Sequence, residues 1–179
     1  MTDFYELTMA QTYFNEGKKD EQVYFDIFFR KNPFEGGYTI SGGLDETIDY
    51  IKNFHFGEDE LDYLRKLGKF NEDFLNYLST LKFEGDIYAV PDGTVVFPNE
   101  PVLTVKADAV TAQILETALL ANFNHGSLVT TAAKRITNEA KGIPVMEFGA
   151  RRARGIDSAV EASKCAYIGG CVGTSDRKS

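Results

Sequence analysis

Residues 144–175 constrain the fold more than any other part of the chain. An apolar run at 145–148 contains one charged residue, Glu147, and ends at Gly149. Clustered arginines follow at once: Arg151, Arg152 and Arg154. A buried parallel strand that leads into glycine and guanidinium groups forms an anion site at its carboxyl end. The segment therefore predicts the beginning of a parallel α/β fold that binds a negatively charged ligand.

A second strand and loop are predicted directly after the arginines. Small residues at 158–166 are typical of a helix, 167–169 is predicted as the next strand, and 170–175 as a second glycine-rich loop. Because loops that follow parallel strands meet at one edge of a sheet, the two loops are expected to lie close together. Their arginines, backbone N–H groups and hydroxyls would suit a phosphorylated small molecule.

The preceding part of the chain predicts a mixture of helices and strands. Asp3 and Glu6 form a capping box that starts a helix, and Gly17 ends it. Apolar and polar residues alternate over 22–30, which is the period of a half-buried strand. The remaining predictions are a strand at 38–41, helices near 44–51, 61–67 and 74–81, strands at 87–90, 94–97 and 102–105, and a helical region over 114–136. The predicted fold class is α/β, with an amino-terminal α+β domain (1–141) followed by the first strands and helices of an incomplete α/β barrel-like domain (142–179).

Four blocks of the sequence, in chain order, match the motifs of one enzyme family. They are TDFYELTMA at 2–10, FRKNPF at 29–34, GDIYAVPDG at 85–93 and EFGARRA at 147–153, the last joined by the glycines at 169, 170 and 173. Isolated glycines would be weak evidence, but the match runs through the whole chain. The chain resembles nicotinate phosphoribosyltransferase, a type II phosphoribosyltransferase.

The resemblance implies an enzyme of NAD synthesis. Such an enzyme joins nicotinate to phosphoribosyl pyrophosphate and releases nicotinate mononucleotide and pyrophosphate. It uses ATP as a co-substrate and Mg²⁺ that is not tightly bound, and it forms a homodimer with shared active sites. The resemblance also implies that the histidine which this family phosphorylates lies beyond residue 179. His55 and His125 lie in no matching motif, so the role is not transferred to them, and His125 is predicted at a helix junction.

The resemblance also implies roles for individual residues. Phe148 would stack on the pyridine ring, Arg151 would bind nicotinate, and Tyr5 would cover the other ring face from across a dimer interface. From position alone, Phe148 could instead fill the core, Arg151 could pair with Glu147, and Tyr5 could be a core residue. The implied substrate-binding set is Asp3, Tyr5, Phe148, Arg151, Arg152, Thr174 and Ser175, and the implied phosphate-binding set is Arg30, Arg135 and Gly173.

Ser175 bears on the choice between nicotinate and nicotinamide. In relatives that use the amide, an aspartate follows this Gly-Thr pair and accepts from the amide N–H. Serine is neutral and would tolerate the carboxylate of nicotinate. Asp176 departs from the asparagine that is usual at the next place. The prediction is therefore nicotinate, with a nicotinamide or quinolinate phosphoribosyltransferase as the alternative.

Composition excludes several other classes of function. The net charge is −8 and the pI is near 4.8, so no global positive field favours nucleic acid or an anionic membrane. Cys165 and Cys171 form no metal-binding or disulfide pattern, and the predicted location is the cytoplasm. A complete barrel needs roughly 250 residues. The 179 residues are therefore expected to be the amino-terminal part of a longer enzyme, inactive alone, or a non-catalytic fragment that dimerises or binds ligand.

Overall fold

The computed structural model describes residues 2–174. Helices and strands are interspersed along the chain, as the α/β prediction requires. The helices are α1 (Phe4–Asn15), α2 (Leu44–Lys52), α3 (Glu58–Leu67), α4 (Glu72–Thr80), α5 (Ala109–Glu139) and α6 (Ile156–Ile168). The strands are β1 (Gln22–Phe28), β2 (Thr39–Ile40), β3 (Gly85–Ala89), β4 (Val95–Val96), β5 (Pro101–Asp108), β6 (Met146–Glu147) and β7 (Gly173–Thr174). Short 3₁₀ turns lie at Pro33–Glu35 and Ala150–Arg152.

The chain forms two compact units, each assembled from separated stretches. The first unit contains the chain up to Asp26, Ile48–Tyr88 and Thr104–Leu119. The second contains Ile27–Thr47, Ala89–Leu103 and the chain from Leu120 onward. The domain division predicted between residues 141 and 142 stays a prediction.

The first unit has an apolar core between its helices. The capping box at Asp3 and Glu6 is confirmed, and Gly68 ends α3 in the left-handed conformation at φ 63°. Asn71 starts α4 by accepting a hydrogen bond from the Phe74 N–H at 2.8 Å. The strands follow the order β1-β5-β3. The core around Phe74 holds the fully or nearly fully buried side chains Leu7, Ala10, Leu61, Leu64, Phe70, Leu75, Leu78, Leu81, Val110 and Ile114.

In the second unit, small residues on α5 let the helix approach the chain after β2 very closely. A Cβ on Gly126 would lie only 2.6 Å from the carbonyl carbon of Gly42, so no larger residue fits there. Buried hydroxyls on α5 then satisfy two backbone donors: Ser127 accepts from the Gly42 N–H at 3.1 Å, and Thr131 accepts from the Ile40 N–H at 2.9 Å. The helix therefore contacts the backbone through hydroxyls where most helices use apolar side chains.

The carboxyl-terminal part of the second unit is a strand–helix–strand unit. β6 and β7 pair in parallel, with Met146 opposite Gly173 and Glu147 opposite Thr174. The helix between them is α6, and a small apolar cluster of Ala133, Ala166 and Cys171 lies beneath it.

The strand predicted at 167–169 is wrong. Those residues are the last turn of α6 and its cap, and the strand follows at Gly173–Thr174, inside the predicted loop. A run of three residues is too short for periodicity to separate a strand from a final helical turn. Contacts with α5 decide the outcome, since a Cβ on Gly169 would lie 2.6 Å from the Ala133 Cβ.

Candidate functional site

The candidate site lies at the carboxyl ends of β6 and β7. Phe148 and Gly149 follow β6 directly, and the 3₁₀ turn Ala150–Arg152 continues from them. Because β6 and β7 run parallel, the carboxyl end of β7 lies at the same edge as the turn that follows β6. The structure therefore confirms the predicted placement of the arginine-containing turn at a strand's carboxyl end.

Phe148 and the arginines are exposed in this arrangement. The Phe148 side chain is 57% exposed, so it does not fill the core formed by the described residues. Arg151, Arg152 and Arg154 are also exposed. An exposed aromatic ring and exposed guanidinium groups in one short segment offer a stacking surface and bidentate donors for a flat anion.

Glu147 is not the partner of Arg151, because no salt bridge joins the two side chains within residues 2–174. One oxygen of the Glu147 carboxylate accepts from the Gly149 N–H. The other lies 3.3 Å from the Ser163 hydroxyl and 3.2 Å from the Thr174 hydroxyl. The two hydroxyls are themselves 2.9 Å apart. The carboxylate therefore connects the end of β6 to α6 and β7.

Gly149 lies against this carboxylate, and its backbone conformation does not itself call for glycine. Its φ of −85° and ψ of −2° are open to any residue. A Cβ at this position, however, would lie 2.7 Å from Oε1 of Glu147. Any side chain at residue 149 would therefore push the carboxylate away from the turn.

Asp3 and Tyr5 lie at the start of α1 in the first unit. The Asp3 carboxylate, which caps α1, also lies 3.0 Å from the Thr117 hydroxyl, whose shorter contact is with Glu6 at 2.7 Å. Tyr5 is 46% exposed and is therefore not a core residue of the described chain. Its phenol forms a hydrogen bond with Glu116, and partial desolvation together with that carboxylate raises the pKa of the Tyr5 hydroxyl. The structure leaves its ring available to another surface.

The three predicted phosphate-binding residues are in the second unit or at its edge. Arg30 is exposed just after β1. Arg135 donates to the Phe34 carbonyl at 3.1 Å, and its guanidinium lies 5.8 Å from the centre of the Phe34 ring. Arg135 therefore supports the loop at Pro33–Glu35, where Phe34 has a left-handed φ of 58°. Gly173 pairs with Met146 in the parallel ladder. Phosphate binding by these residues stays a prediction.

The last predicted site residues have different outcomes. Thr174 is in β7, and its hydroxyl contacts Glu147 and Ser163. Ser175 and Asp176 lie outside the described residues. The helix-junction prediction for His125 is wrong, because this residue lies inside the continuous helix α5, with its Nε2 3.9 Å from a Glu161 carboxylate oxygen.

The described residues form no cluster for a metal ion, and their two cysteine thiols are buried. Between residues 2 and 174, no three His, Cys, Asp or Glu side chains gather closely enough to hold a metal ion. Cys165 and Cys171 are both buried and unpaired, and burial raises the pKa of the Cys165 thiol to about 12. No helix in that part of the chain is long and apolar enough to cross a membrane.

Glu147 and Ser163 are the site residues that sequence reasoning missed. The available signal was a single carboxylate within an otherwise apolar strand, which is costly to bury unless donors surround it. Ser163 lies in the middle of a helix of small residues, where nothing in the sequence distinguishes it from its neighbours. Only the contact between α6 and the strands identifies it.

Comparison with known proteins identifies the family of the chain. The family model of the nicotinate phosphoribosyltransferase (NAPRTase) N-terminal domain matches residues 1–124. A nicotinate phosphoribosyltransferase of Mycobacterium tuberculosis is 42% identical over 175 residues, which cover 98% of this chain and 38% of that protein. The enzyme of that name from Bacillus subtilis is 41% identical over 175 residues, covering 98% of this chain and 36% of its own length.

A solved structure is similar over the same extent. The human nicotinic acid phosphoribosyltransferase superposes with a TM-score of 0.91 at 32% identity, covering 98% of this chain and 36% of the human one. The chain thus spans less than two fifths of the length of these relatives. On the match of the family model and the agreement in fold, the chain belongs to the nicotinate phosphoribosyltransferase family, and residues 1–124 correspond to its N-terminal domain.

Proposed function

We propose that the full-length protein containing this chain is a nicotinate phosphoribosyltransferase. It joins nicotinate to phosphoribosyl pyrophosphate and releases nicotinate mononucleotide and pyrophosphate, for NAD synthesis in the cytoplasm. The observation that carries the proposal is the exposed Phe148 ring, followed in the chain by the exposed Arg151 and Arg152, at the carboxyl end of one of two paired parallel strands. In a chain of this family, that arrangement suits a flat aromatic carboxylate.

The reaction places specific demands on these residues. The ring nitrogen must attack C1 of the ribose as pyrophosphate leaves, and the transition state carries positive charge on the sugar. The protein must therefore hold the ring in line with C1 and neutralise the phosphates. Phe148 would fix the plane of the ring by stacking, and Arg151 would fix its direction through two parallel N–H bonds to the carboxylate.

Three further parts of the proposal come from the family resemblance. ATP is a co-substrate whose phosphoryl group is carried by a histidine beyond residue 179. Mg²⁺ is expected to enter bound to the phosphates of the substrates, without being tightly bound by the protein. The enzyme is a homodimer in which Tyr5, exposed at the start of α1, contributes to the partner subunit's site.

A direct test uses the full-length gene product and the 179-residue chain side by side. Synthesis of nicotinate mononucleotide from nicotinate, phosphoribosyl pyrophosphate and ATP is followed by chromatography. We expect ATP-stimulated turnover by the full-length protein and none by the chain alone. A full-length protein that binds nicotinate without turnover would favour a non-catalytic role. A full-length protein that prefers nicotinamide or quinolinate would reassign the substrate.

The choice of nicotinate over nicotinamide is tested at Ser175, on sequence grounds alone. Ser175→Asp would place like charge beside the nicotinate carboxylate, and such contacts cost several kcal/mol in a desolvated site. We expect kcat/KM for nicotinate to fall roughly tenfold to a thousandfold, with far less effect on nicotinamide. Equal losses for both substrates would show that Ser175 does not contact the ring substituent.

The shared site is tested by subunit complementation. Tyr5→Ala and Arg151→Ala variants are expected to be inactive separately. If Tyr5 serves the neighbouring subunit, mixed dimers regain some intact sites, and unfolding and refolding the mixture should restore activity. Recovery would support the proposed arrangement. No recovery, with mixed dimers present by mass spectrometry, would place Tyr5 in its own subunit's site or outside both.

A further inference from the structure

The Glu147 carboxylate has an unexpected place for a site that binds anions. It lies in β6, one residue before Phe148, and four residues before Arg151. A carboxylate at this edge would repel the carboxylate and phosphates of the substrates unless protein donors compensate its charge. Three groups that can donate to it lie around it: the Gly149 N–H, the Ser163 hydroxyl and the Thr174 hydroxyl. The Ser163 hydroxyl also lies 3.0 Å from the Ala159 carbonyl, and the Thr174 hydroxyl lies 2.9 Å from that of Ser163, so the carboxylate shares these hydroxyls with other acceptors.

These donors come from three separate elements. Gly149 opens the turn that presents Arg151, Ser163 is buried on α6, and Thr174 ends β7. Hydrogen bonds to an ionised acceptor are about twice as strong as bonds between neutral groups. One carboxylate therefore fixes the start of the arginine turn relative to the neighbouring strand and helix. Glycine at position 149 leaves room for this contact, since a Cβ there would lie 2.7 Å from Oε1.

We propose that Glu147 is a positioning residue, which holds Phe148 and Arg151 in the orientation that nicotinate requires without touching the substrate. This inference deepens the proposed function and rests on it. A displacement of about 1 Å at such a site can cost as much as a hundredfold in rate. The expected signature is a loss of nicotinate affinity, because the ring plane and the guanidinium direction are both set by the turn.

The main experiment compares Glu147→Gln with a matched control in the full-length protein. Gln has the same shape but lacks the charge, and its amide nitrogen cannot accept from the hydroxyls. Asp157→Asn makes the same change of charge at an exposed position in the first turn of α6. We expect Glu147→Gln to raise KM for nicotinate roughly tenfold or more while KM for phosphoribosyl pyrophosphate changes less than threefold, and Asp157→Asn to change neither.

A double-mutant cycle tests the contact itself. Gly149→Ala should also raise KM for nicotinate, since the added methyl group displaces the carboxylate. In a Glu147→Ala background the obstruction is gone, so the same Gly149→Ala change should add less than twofold. Additive effects of the two substitutions would overturn the assigned contact. Unchanged KM values, with kcat reduced only in proportion to the folded fraction, would show that Glu147 is a purely structural residue.

Hydrogen exchange separates this inference from the proposed function. Loss of the charged acceptor weakens the hydrogen bonds at the start of the turn. It should accelerate amide exchange in a peptide covering 148–155 in Glu147→Gln, and not in Asp157→Asn. If amide exchange in Glu147→Gln is as slow as in the protein without the substitution, the positioning role is overturned even if the enzyme is active. If the full-length protein without substitutions makes no nicotinate mononucleotide, the proposed function is overturned. The exchange rates would still decide whether Glu147 holds the turn.

Discussion

The core of the first unit and the carboxyl-terminal part of the second unit differ in how they use apolar residues. In the first unit, apolar side chains from several helices, including aromatic rings, pack around Phe74, which is completely buried. Between residues 142 and 174, by contrast, large apolar side chains are mostly at the surface. They are Ile143, Met146, Phe148, Ile156, Tyr167, Ile168 and Val172. Apolar residues in the first region therefore stabilise the fold by packing into a core. Those in the second region leave apolar surface exposed for other contacts.

Two glutamates sharpen the comparison. Glu6 in the first unit is fully buried and accepts from the Asp3 N–H at 2.9 Å, the Thr117 N–H at 2.9 Å and the Thr117 hydroxyl at 2.7 Å. Glu147 in the second unit is only partly buried, although it too accepts from a backbone N–H and from hydroxyls. The same chemistry thus joins two helices in one place and contacts the turn that carries Arg151 in the other.

The largest expected effect is on the stability of the first unit. Phe74→Ala should lower the free energy of unfolding by about 3–5 kcal/mol, because it leaves a cavity in a closed core. The matched change Phe148→Ala should cost less than about 1 kcal/mol, since that ring is already exposed, but should abolish most activity. Chemical denaturation and steady-state kinetics on both variants measure the contrast. Equal losses of stability would remove the distinction between the two regions.

Arg151→Lys is expected to have the opposite profile to Phe74→Ala. Lysine cannot reproduce the two parallel N–H bonds of the guanidinium group, so kcat/KM for nicotinate should fall about a hundredfold, or roughly 2–3 kcal/mol. The melting temperature should change little, because the side chain is exposed. Normal kinetics with a large drop in melting temperature would instead make Arg151 a structural residue.

Glu6→Gln should act on stability alone. Hydrogen bonds to a charged acceptor contribute about 1.5–3 kcal/mol, and the amide must leave at least one of the surrounding donors poorly paired. We therefore expect a loss of about 2 kcal/mol, measured by urea denaturation. The exposed Glu72→Gln on α4 is the control for the change in charge, and should lose less than about 1 kcal/mol. A Glu6→Gln variant as stable as that control would contradict the assigned role.

The smallest effect concerns the interior of the second unit, at Cys165. Burial raises the pKa of this thiol to about 12 from an ordinary value of 9.0. The folded state therefore keeps the proton while the unfolded state loses it, so stability is lost as pH rises from about 9 toward about 12. The loss at pH 10 should be about 1 kcal/mol, and Cys165→Ala should lack it. The measurement is the free energy of unfolding at pH 8 and at pH 10, for the protein with Cys165 and for Cys165→Ala. If both proteins lose the same stability between the two pH values, the thiol is accessible to water.

Most of the elements follow from local sequence, and the failures have a common cause. The capping box at Asp3, the alternating strand at Gln22–Phe28 and the helix end at Gly68 depend on neighbouring residues, so they are predictable. The strand predicted at 167–169 and the junction at His125 depended on contacts between distant segments. Gly126 interrupts a helical sequence pattern, yet α5 continues through it. Glycine is needed at this position because the backbone of Gly42 approaches it closely.

The sequence alone determined the family, the order of the elements, and the placement of clustered arginines after a strand. These features depend on spacing within short segments, which folding does not alter. Only the tertiary structure decided that Phe148 is exposed, that Arg151 is free of Glu147 within the described chain, and that Glu147 is held by Gly149, Ser163 and Thr174. Burial and hydrogen-bond partners are properties of segments brought together from far apart in the chain, and no local pattern records them.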